Sequence, residues 1–266
     1  MSWSEAVDKA PGLGATVSQP VAGLRARPDP RSELVSQEIF GRPIHVVEAR
    51  GDWCLCVAAD STRGWVPVSY LSLSADYKPK HEVATRFAPV AMRARSDLVV
   101  PMGGLIEVTG KEGKRWRVRT PDGISGRMDS SSLRSRGAVR LGRASASAVI
   151  KQVTGVPYLW GGKSTFGFDC SGLVQFLYGL FGIRLPRDSR DQARHGRKIG
   201  GLAYARPFDL LFFGERRAID HVAVHLGGLD ILHASGRVRI ESLDATSTVF
   251  RADLLARFAL ARRITS

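Results

Sequence analysis

The chain has 266 residues with three cysteines and six histidines, and one cysteine stands apart by its neighbours. Cys170 sits in "GFDCSGLVQFL", after Asp169 and before Ser171 and Gly172. A thiol attacks an acyl carbon only as thiolate, and its pKa of ~8.5 falls at a helix N-terminus or beside a histidinium. The apolar residues Leu173, Val174, Leu177, Leu180 and Phe181 follow at helical spacing and stop at Gly182, so a helix opens at Cys170. Unpaired N–H groups and the positive end of the helix dipole then face the sulfur. The same N–H groups can hold the oxyanion of an acyl transfer. The competing reading is a small buried packing residue.

A nucleophile needs a base. Downstream stand His195, His221, His225 and His233. His195 lies in a polar, arginine-rich stretch and reads as a solvated surface residue. His221 opens "HVAVHLG", and His225 shares its face by period-two parity. His233, in "DILHAS", joins that face if the turn at Gly227-Gly228 pairs odd residues with odd ones. Spacing alone leaves His221 and His225 as equal candidates.

The elements that must carry these groups are short. "SASAVIKQVTG" reads as a helix ended by Gly155, and "VPYLWGG" as a loop in which Gly161 and Gly162 supply unusual backbone angles. "DLLFFG", "HVAVHLG" and "DILHAS" read as successive antiparallel strands. Helices followed by strands make an α+β domain.

The first half carries a weak internal repeat. One copy opens "PVAGLRARPDP" and the other "PVAMRARSD". Each reaches a strand beginning at tryptophan, Trp53 and Trp116. Each then has a glycine the same distance ahead of a leucine, Gly64 with Leu71 and Gly126 with Leu133. Aligned on the tryptophans, Trp53, Leu55 and Val57 share one face, and Cys54 and Cys56 take the places of Arg117 and Arg119. That puts the two cysteines on the outer or interdomain face of a small β-barrel, in a packing role. Strand geometry holds them too far apart to bridge.

Composition sets the outer bounds. A hydrophobic fraction of 44% with 24% charged residues is that of a globular chain. No run of apolar residues is long enough to span a bilayer. The N-terminal "MSWSEAVDKAPGLG" lacks the basic start and apolar stretch of a secretory signal, and the expected location is the cytoplasm. The formal charge is +14. The arginines behind it are scattered, and no stacking aromatics alternate with them as a single-strand surface requires. A nucleic-acid partner is therefore not expected, nor a metal, because no second Cys or His pair has zinc spacing. No cofactor is expected.

Together the motifs "PYLWGG", "DCSGLVQ", "LPRDSRDQ", "DLLFF", "HVAVHLG" and "LHA" resemble the NlpC/p60 family of papain-like cysteine peptidases. The resemblance implies Cys170 as nucleophile, His221 as general base and His233 as the group orienting that base, leaving His225 a neighbour. It also implies that Tyr158 points its hydroxyl at the site, and that Asp169 and Ser171, joined by Ser189, help hold the free amino end of a short murein peptide. The alternative for Asp169 is a helix N-cap. One departure is visible: the family's Pro-Gly-Asp is here Pro207-Phe208-Asp209, which implies a changed turn. The repeat, with its "GDW" and "GWVPVSYL", resembles bacterial SH3-like domains, with Arg127 standing where Trp65 does. The expected architecture is two small all-β SH3-like barrels followed by an α+β papain-like domain. The expected domains are residues 1–76, 77–136 and 137–266. The implied activity is hydrolysis of the γ-D-glutamyl–diamino acid (meso-diaminopimelate) bond through a thioester. An exported hydrolase of intact wall and a non-catalytic wall-binding scaffold are the alternatives.

Overall fold

A computed structural model describes residues 3–9, 12–73, 76–92, 96–215 and 218–264. The chain divides into two compact units, Met1–Ala138 and Val139–Ser266. Among the described residues no helix is long and apolar enough to cross a membrane.

The first unit opens with helix α1 (Trp3–Lys9) and continues with seven strands, β1 (Leu13–Val17), β2 (Val21–Arg25), β3 (Leu34–Ile39), β4 (Pro43–Arg50), β5 (Trp53–Val57), β6 (Arg63–Pro67) and β7 (Leu71–Ser72). Seven more follow: β8 (His81–Val83), β9 (Phe87–Met92), β10 (Leu98–Pro101), β11 (Leu105–Glu112), β12 (Arg115–Arg119), β13 (Ser125–Asp129) and β14 (Leu133–Ser135). The two sets form separate sheets, in the orders β3-β2-β6-β5-β4-β1-β7 and β10-β9-β13-β12-β11-β8-β14. Each strand of the second order is the counterpart, seven places on, of the strand in the first. The repeat seen in the sequence is thus a repeat of topology. Each sheet closes over its own apolar cluster, one including Leu24, Ile44 and Val66 and the other Val90, Ile106 and Met128. The Arg93-Ala94-Arg95 triplet, matched to Arg25-Ala26-Arg27, lies outside the described residues.

Pairing corrects the alignment of the repeat by one residue. Arg50 lies opposite Trp53 at the end of the β4–β5 ladder, and Glu112 opposite Arg115 at the end of the β11–β12 ladder. Trp53 therefore corresponds to Arg115, and Cys54 and Cys56 correspond to Trp116 and Val118. A one-residue slip exchanges the two faces of a strand. Cys54 and Cys56 accordingly point into the apolar cluster of the first sheet and are fully buried. They pack, as expected, on the face opposite to the one expected. Gly64 with Gly126, and Trp65 with Arg127, keep their correspondence, because the β5–β6 and β12–β13 ladders run in matching register.

The second unit contains helix α2 (Arg143–Val153), the short pair β15 (Lys163–Ser164) and β16 (Gly167–Phe168), and helices α3 (Cys170–Gly179) and α4 (Ser189–Gln192). Strands β17 (Arg197–Ile199), β18 (Leu210–Glu215), β19 (Ala218–Gly227), β20 (Asp230–Ser235) and β21 (Arg237–Ser242) follow, then α5 (Ala252–Ala256) and β22 (Phe258–Arg263). Six of these strands form one antiparallel sheet in the order β17-β22-β18-β19-β20-β21. The strands read from sequence are its centre. The edges β17 and β21 are polar and arginine-rich and lack the apolar run by which the centre was legible.

The helix that opens at Cys170 is the core helix of this unit, buried from Cys170 to Tyr178. At its far end the Tyr178 hydroxyl donates to the carbonyl of Phe208. Phe208 adopts φ 71°, the left-handed region that glycine enters freely and other residues only at a cost. The turn expected to change is therefore one that keeps a glycine-like conformation, with phenylalanine forced into it.

Candidate active site

Two glycines and an aspartate build the mouth of α3. Gly161 has φ 74°. Gly162 serves by its size: a Cβ there would lie 2.4 Å from the carbonyl oxygen of Gly167. The close approach lets the Asp169 N–H donate to the Gly162 carbonyl at 3.1 Å. Asp169 is the N-cap of α3, and its Oδ1 accepts from the N–H of Gly172 at 2.6 Å. Its other oxygen accepts from the N–H of Gly161 at 3.0 Å. Arg187 closes on both oxygens, at 3.1 and 2.6 Å, and donates to the Ser171 hydroxyl at 3.0 Å. The Ser171 hydroxyl in turn donates to Asp169 at 3.3 Å. Asp169, Ser171 and Arg187 are all buried. The N-cap reading of Asp169 is thus visible in the structure, with a bidentate ion pair added. Arg187 was in a quoted motif, "LPRDS", yet was not singled out, because arginine in an arginine-rich stretch reads as solvated.

Cys170 is buried at the first turn, with its sulfur 4.0 Å from the carbonyl oxygen of Asp220. The N–H groups of Val222 and Ser171 are directed at the same sulfur. The thiol therefore lies against the backbone on either side of His221. The sheet leaves room for it there: the β19–β20 ladder pairs only Val224 to Gly227 of β19. Burial, then the charge of Asp169, pushes the thiol up to about 11, against those N–H groups and Arg187. The helix mouth was expected to lower it; dehydration outweighs the dipole.

On the sheet, His225 pairs with Ile231, so odd residues do face odd ones across the turn. His221 and His233 consequently share a face with Phe213, Ala223 and Ile231, three members of one apolar cluster. The His221 Nε2 lies 2.9 Å from the His233 Nδ1, with the rings edge to face. His233 is fully buried, and its Nε2 lies 2.5 Å from Oε2 of Glu241. Arg251 and Arg239 both pair with that carboxylate. Burial, then neighbouring cationic groups, pushes His221 down to about 3. His233 is held below the ordinary imidazole range, again by burial, against the pull of Glu241. At neutral pH the site rests as thiol and neutral imidazoles.

The remaining expected residues fall in two places. Tyr158 is exposed, and its phenol is held above its ordinary range by partial burial first and then by the charges of Cys170 and Asp169. Ser189 opens α4 and is half-buried. His225 turns away: its Nε2 lies 2.9 Å from the carbonyl of Gly228, within the turn. His195 is exposed. Glu241 escaped the sequence reading, although odd-residue parity carried one strand further, into "RVRIES", would have found it.

Residues 155–255 match the NlpC/P60 family. The second unit carries an NlpC/P60 domain. Residues 24–71 match the bacterial dipeptidyl-peptidase SH3 domain. A γ-D-glutamyl-L-lysine dipeptidyl-peptidase of Bacillus subtilis is 29% identical over 241 residues, covering 84% of this chain and 80% of the relative. Dipeptidyl-peptidase 6 of Lysinibacillus sphaericus is 28% identical over 265 residues, covering 91% and 96%. The crystal structure of an NlpC/P60 family protein from Bacillus cereus superposes with a TM-score of 0.83 at 22% identity, over 94% of this chain and 99% of that one, so the fold is shared along nearly the whole length. The protein is a cysteine peptidase built from an SH3-type domain and an NlpC/P60 domain.

Proposed function

We propose that this NlpC/P60 enzyme hydrolyses the bond between γ-D-glutamate and the diamino acid of murein peptides, with Cys170 as nucleophile, His221 as general base and His233 orienting the base. The observation that carries the reading is the thiol at the mouth of α3, held against the backbone beside His221, with the His221–His233 pair at 2.9 Å. The relatives named for γ-D-glutamyl-L-lysine cleavage supply the substrate class.

The resting protonation states shape the mechanism. Neither thiolate nor imidazolium is present at neutral pH, so the proton moves from Cys170 to His221 as sulfur attacks the carbonyl carbon. The N–H of Gly172 is taken by Asp169, which leaves the earlier N–H groups of α3 to meet the developing oxyanion. The tetrahedral intermediate collapses as His221 returns the proton to the leaving amine, and a thioester remains. Water, deprotonated by His221, releases the acid and regenerates the thiol.

For the peptide's amino end we propose Tyr158, Asp169, Ser171 and Ser189. Tyr158 offers an accessible hydroxyl, and Asp169 supplies negative charge beside the nucleophile. The second sheet of the first unit we take as a second SH3-type domain, on the strength of its identical strand order. This divides the chain at residues 1–76, 77–136 and 137–266. A free-amine requirement selects short peptides already cut from the wall.

The test is mass spectrometry of L-Ala-γ-D-Glu-meso-diaminopimelate and its L-lysine analogue, each with a free and an acetylated amine, with and without iodoacetamide. Thiol-sensitive cleavage of the free-amine peptides alone is expected. Cleavage of free and acetylated forms alike would remove the amine subsite, and cleavage of none would remove the substrate class.

A further inference from the structure

The hydrogen-bonded chain does not end at His233. Glu241 lies 2.5 Å from the His233 Nε2. The same oxygen accepts from Arg251 at 2.5 Å, and the other oxygen from Arg239 at 3.3 Å. Arg251 is braced in turn by Asp253 at 2.7 Å. Burial works to raise the Glu241 pKa, but the bonds from His233 and Arg251 outweigh it and hold the carboxyl below its ordinary range. Glu241 is therefore a carboxylate, an acceptor with no proton to give.

We propose that Glu241 is a positioning residue of the catalytic chain, fixing which nitrogen of each histidine carries the proton. This deepens the reading of Cys170 and His221 as nucleophile and base, and rests on it. A carboxylate at Nε2 of His233 requires Nε2–H there. A neutral His233 then bears its lone pair on Nδ1. That lone pair faces Nε2 of His221, which must donate to it. A neutral His221 is left with its lone pair on Nδ1, and Nδ1 is the basic atom. Each tautomer follows from the one before, and the series has a single starting point at Glu241. Without an acceptor there, His233 is free to carry its proton on Nδ1. His221 would then accept at Nε2 and hold its proton on the nitrogen that has to be basic. Wrong-tautomer histidine is the known route by which loss of an orienting carboxylate costs about 10⁴-fold in a serine protease.

The arginines explain why a glutamate can serve here. Two of them neutralise a carboxylate that lies beside a fully buried imidazole. They also keep it ionised, so that it accepts from His233 and does not donate to it. Arg251 and Arg239 retain partial solvent contact, and Arg251 keeps Asp253 as a partner when Glu241 is removed.

The experiment uses the full chain labelled with ¹⁵N-histidine, in wild type, Glu241→Ala and Glu241→Gln. Side-chain ¹⁵N shifts report the protonated nitrogen of His221 and His233 without any substrate, and steady-state kinetics follow on the peptide that wild type cleaves. Wild type is expected to carry Nε2–H on both histidines. Glu241→Ala is expected to lose that uniformity and about a hundredfold in kcat, with KM within twofold. The loss is smaller than 10⁴ because Glu241 acts through His233. Glu241→Gln keeps an oxygen for His233 and is expected to recover kcat to within tenfold of wild type. Nδ1–H on His221 of wild type overturns the proposal, whether or not the variants fold. Unchanged tautomers in Glu241→Ala, with kcat within twofold of wild type, overturn it as well. Failure of the substrate reading alone appears as wild-type inactivity with the tautomers as stated.

Discussion

Cys54 and Cys56 lie in the wall of the first barrel and Cys170 at the mouth of α3, and all three thiols are free and buried. Burial pushes Cys54 up to about 11, Cys56 higher still, and Cys170 to about 11. Neither burial nor acidity therefore tells Cys170 from the two packing cysteines. What differs is the company each sulfur keeps. Cys54 and Cys56 sit fully buried among Leu24, Ile44, Val46 and Val66, the Cys56 thiol donating to the carbonyl of Cys54 at 3.6 Å. Cys170 has two N–H groups directed at it and a histidine on the strand it touches. On the proposed reading, the reactivity of Cys170 comes from the hydrogen-bonding frame around it and not from a preformed thiolate.

The largest expected effect breaks this comparison if it is wrong. Cys170→Ala should abolish hydrolysis, a loss of about 10⁴-fold or more, with thermal unfolding little changed. Cys54→Ala and Cys56→Ala should leave kcat untouched and cost about 1–2 kcal/mol of stability through the cavity. In the folded protein without substrate, iodoacetamide should label Cys170 at a rate that keeps rising with pH toward 11. A thiolate–imidazolium pair would instead hold a plateau through the neutral range. Cys54 and Cys56 should label only on unfolding. A neutral plateau at Cys170, read by peptide mapping across pH 5–10, would contradict the neutral resting state.

The same contrast shows what the sequence could carry. Helical spacing after Cys170 and the parity of His221, His225 and His233 were legible because each depends on local periodicity, which the backbone enforces. The face of Cys54 and Cys56 was not, because it depends on a register. Tryptophan is conspicuous, and aligning Trp53 with Trp116 placed the second copy one residue out, whereas the glycines that close the β5–β6 and β12–β13 ladders were correctly matched. The direction of the Cys170 shift was missed for a related reason. The helix dipole can be read from a motif, but dehydration comes from residues distant in sequence, here those of β19. Glu241 and Arg187 are polar residues in polar segments, and their burial is a tertiary fact.

Asp169→Asn tests the next part of the frame. The side chain keeps an oxygen for the N–H of Gly172, so the cap survives. Arg187 loses the buried carboxylate it clasps on both oxygens, and breaking a buried ion pair by removing one charge costs about 3 kcal/mol or more. A fall of that size in a urea titration is expected, together with a rise in KM for free-amine peptides larger than that for acetylated ones. An equal change in KM for both would leave Asp169 a structural residue only, its five hydrogen-bonding contacts with Gly161, Ser171, Gly172 and Arg187 accounting for all it does.

The smallest effect lies at the far end of α3, where the frame ends. Phe208 holds a left-handed conformation and gives its carbonyl to Tyr178. At ordinary positions glycine is less stable than alanine by about 0.5–1 kcal/mol, because it loses more backbone freedom on folding. At a left-handed position the side chain costs about 1–2 kcal/mol, which exceeds that entropy. Phe208→Gly and Phe208→Ala both lose the ring's packing, so their difference isolates the backbone. Phe208→Gly should be more stable than Phe208→Ala by about 0.5–1 kcal/mol, the reverse of the usual order, with kcat the same in both. Scanning calorimetry with a parallel peptide assay reads the two quantities. The usual order would mean that the turn relaxes once the ring is gone. A kcat that followed the stability difference would mean that the anchorage of α3 at Tyr178 reaches the thiol at its other end.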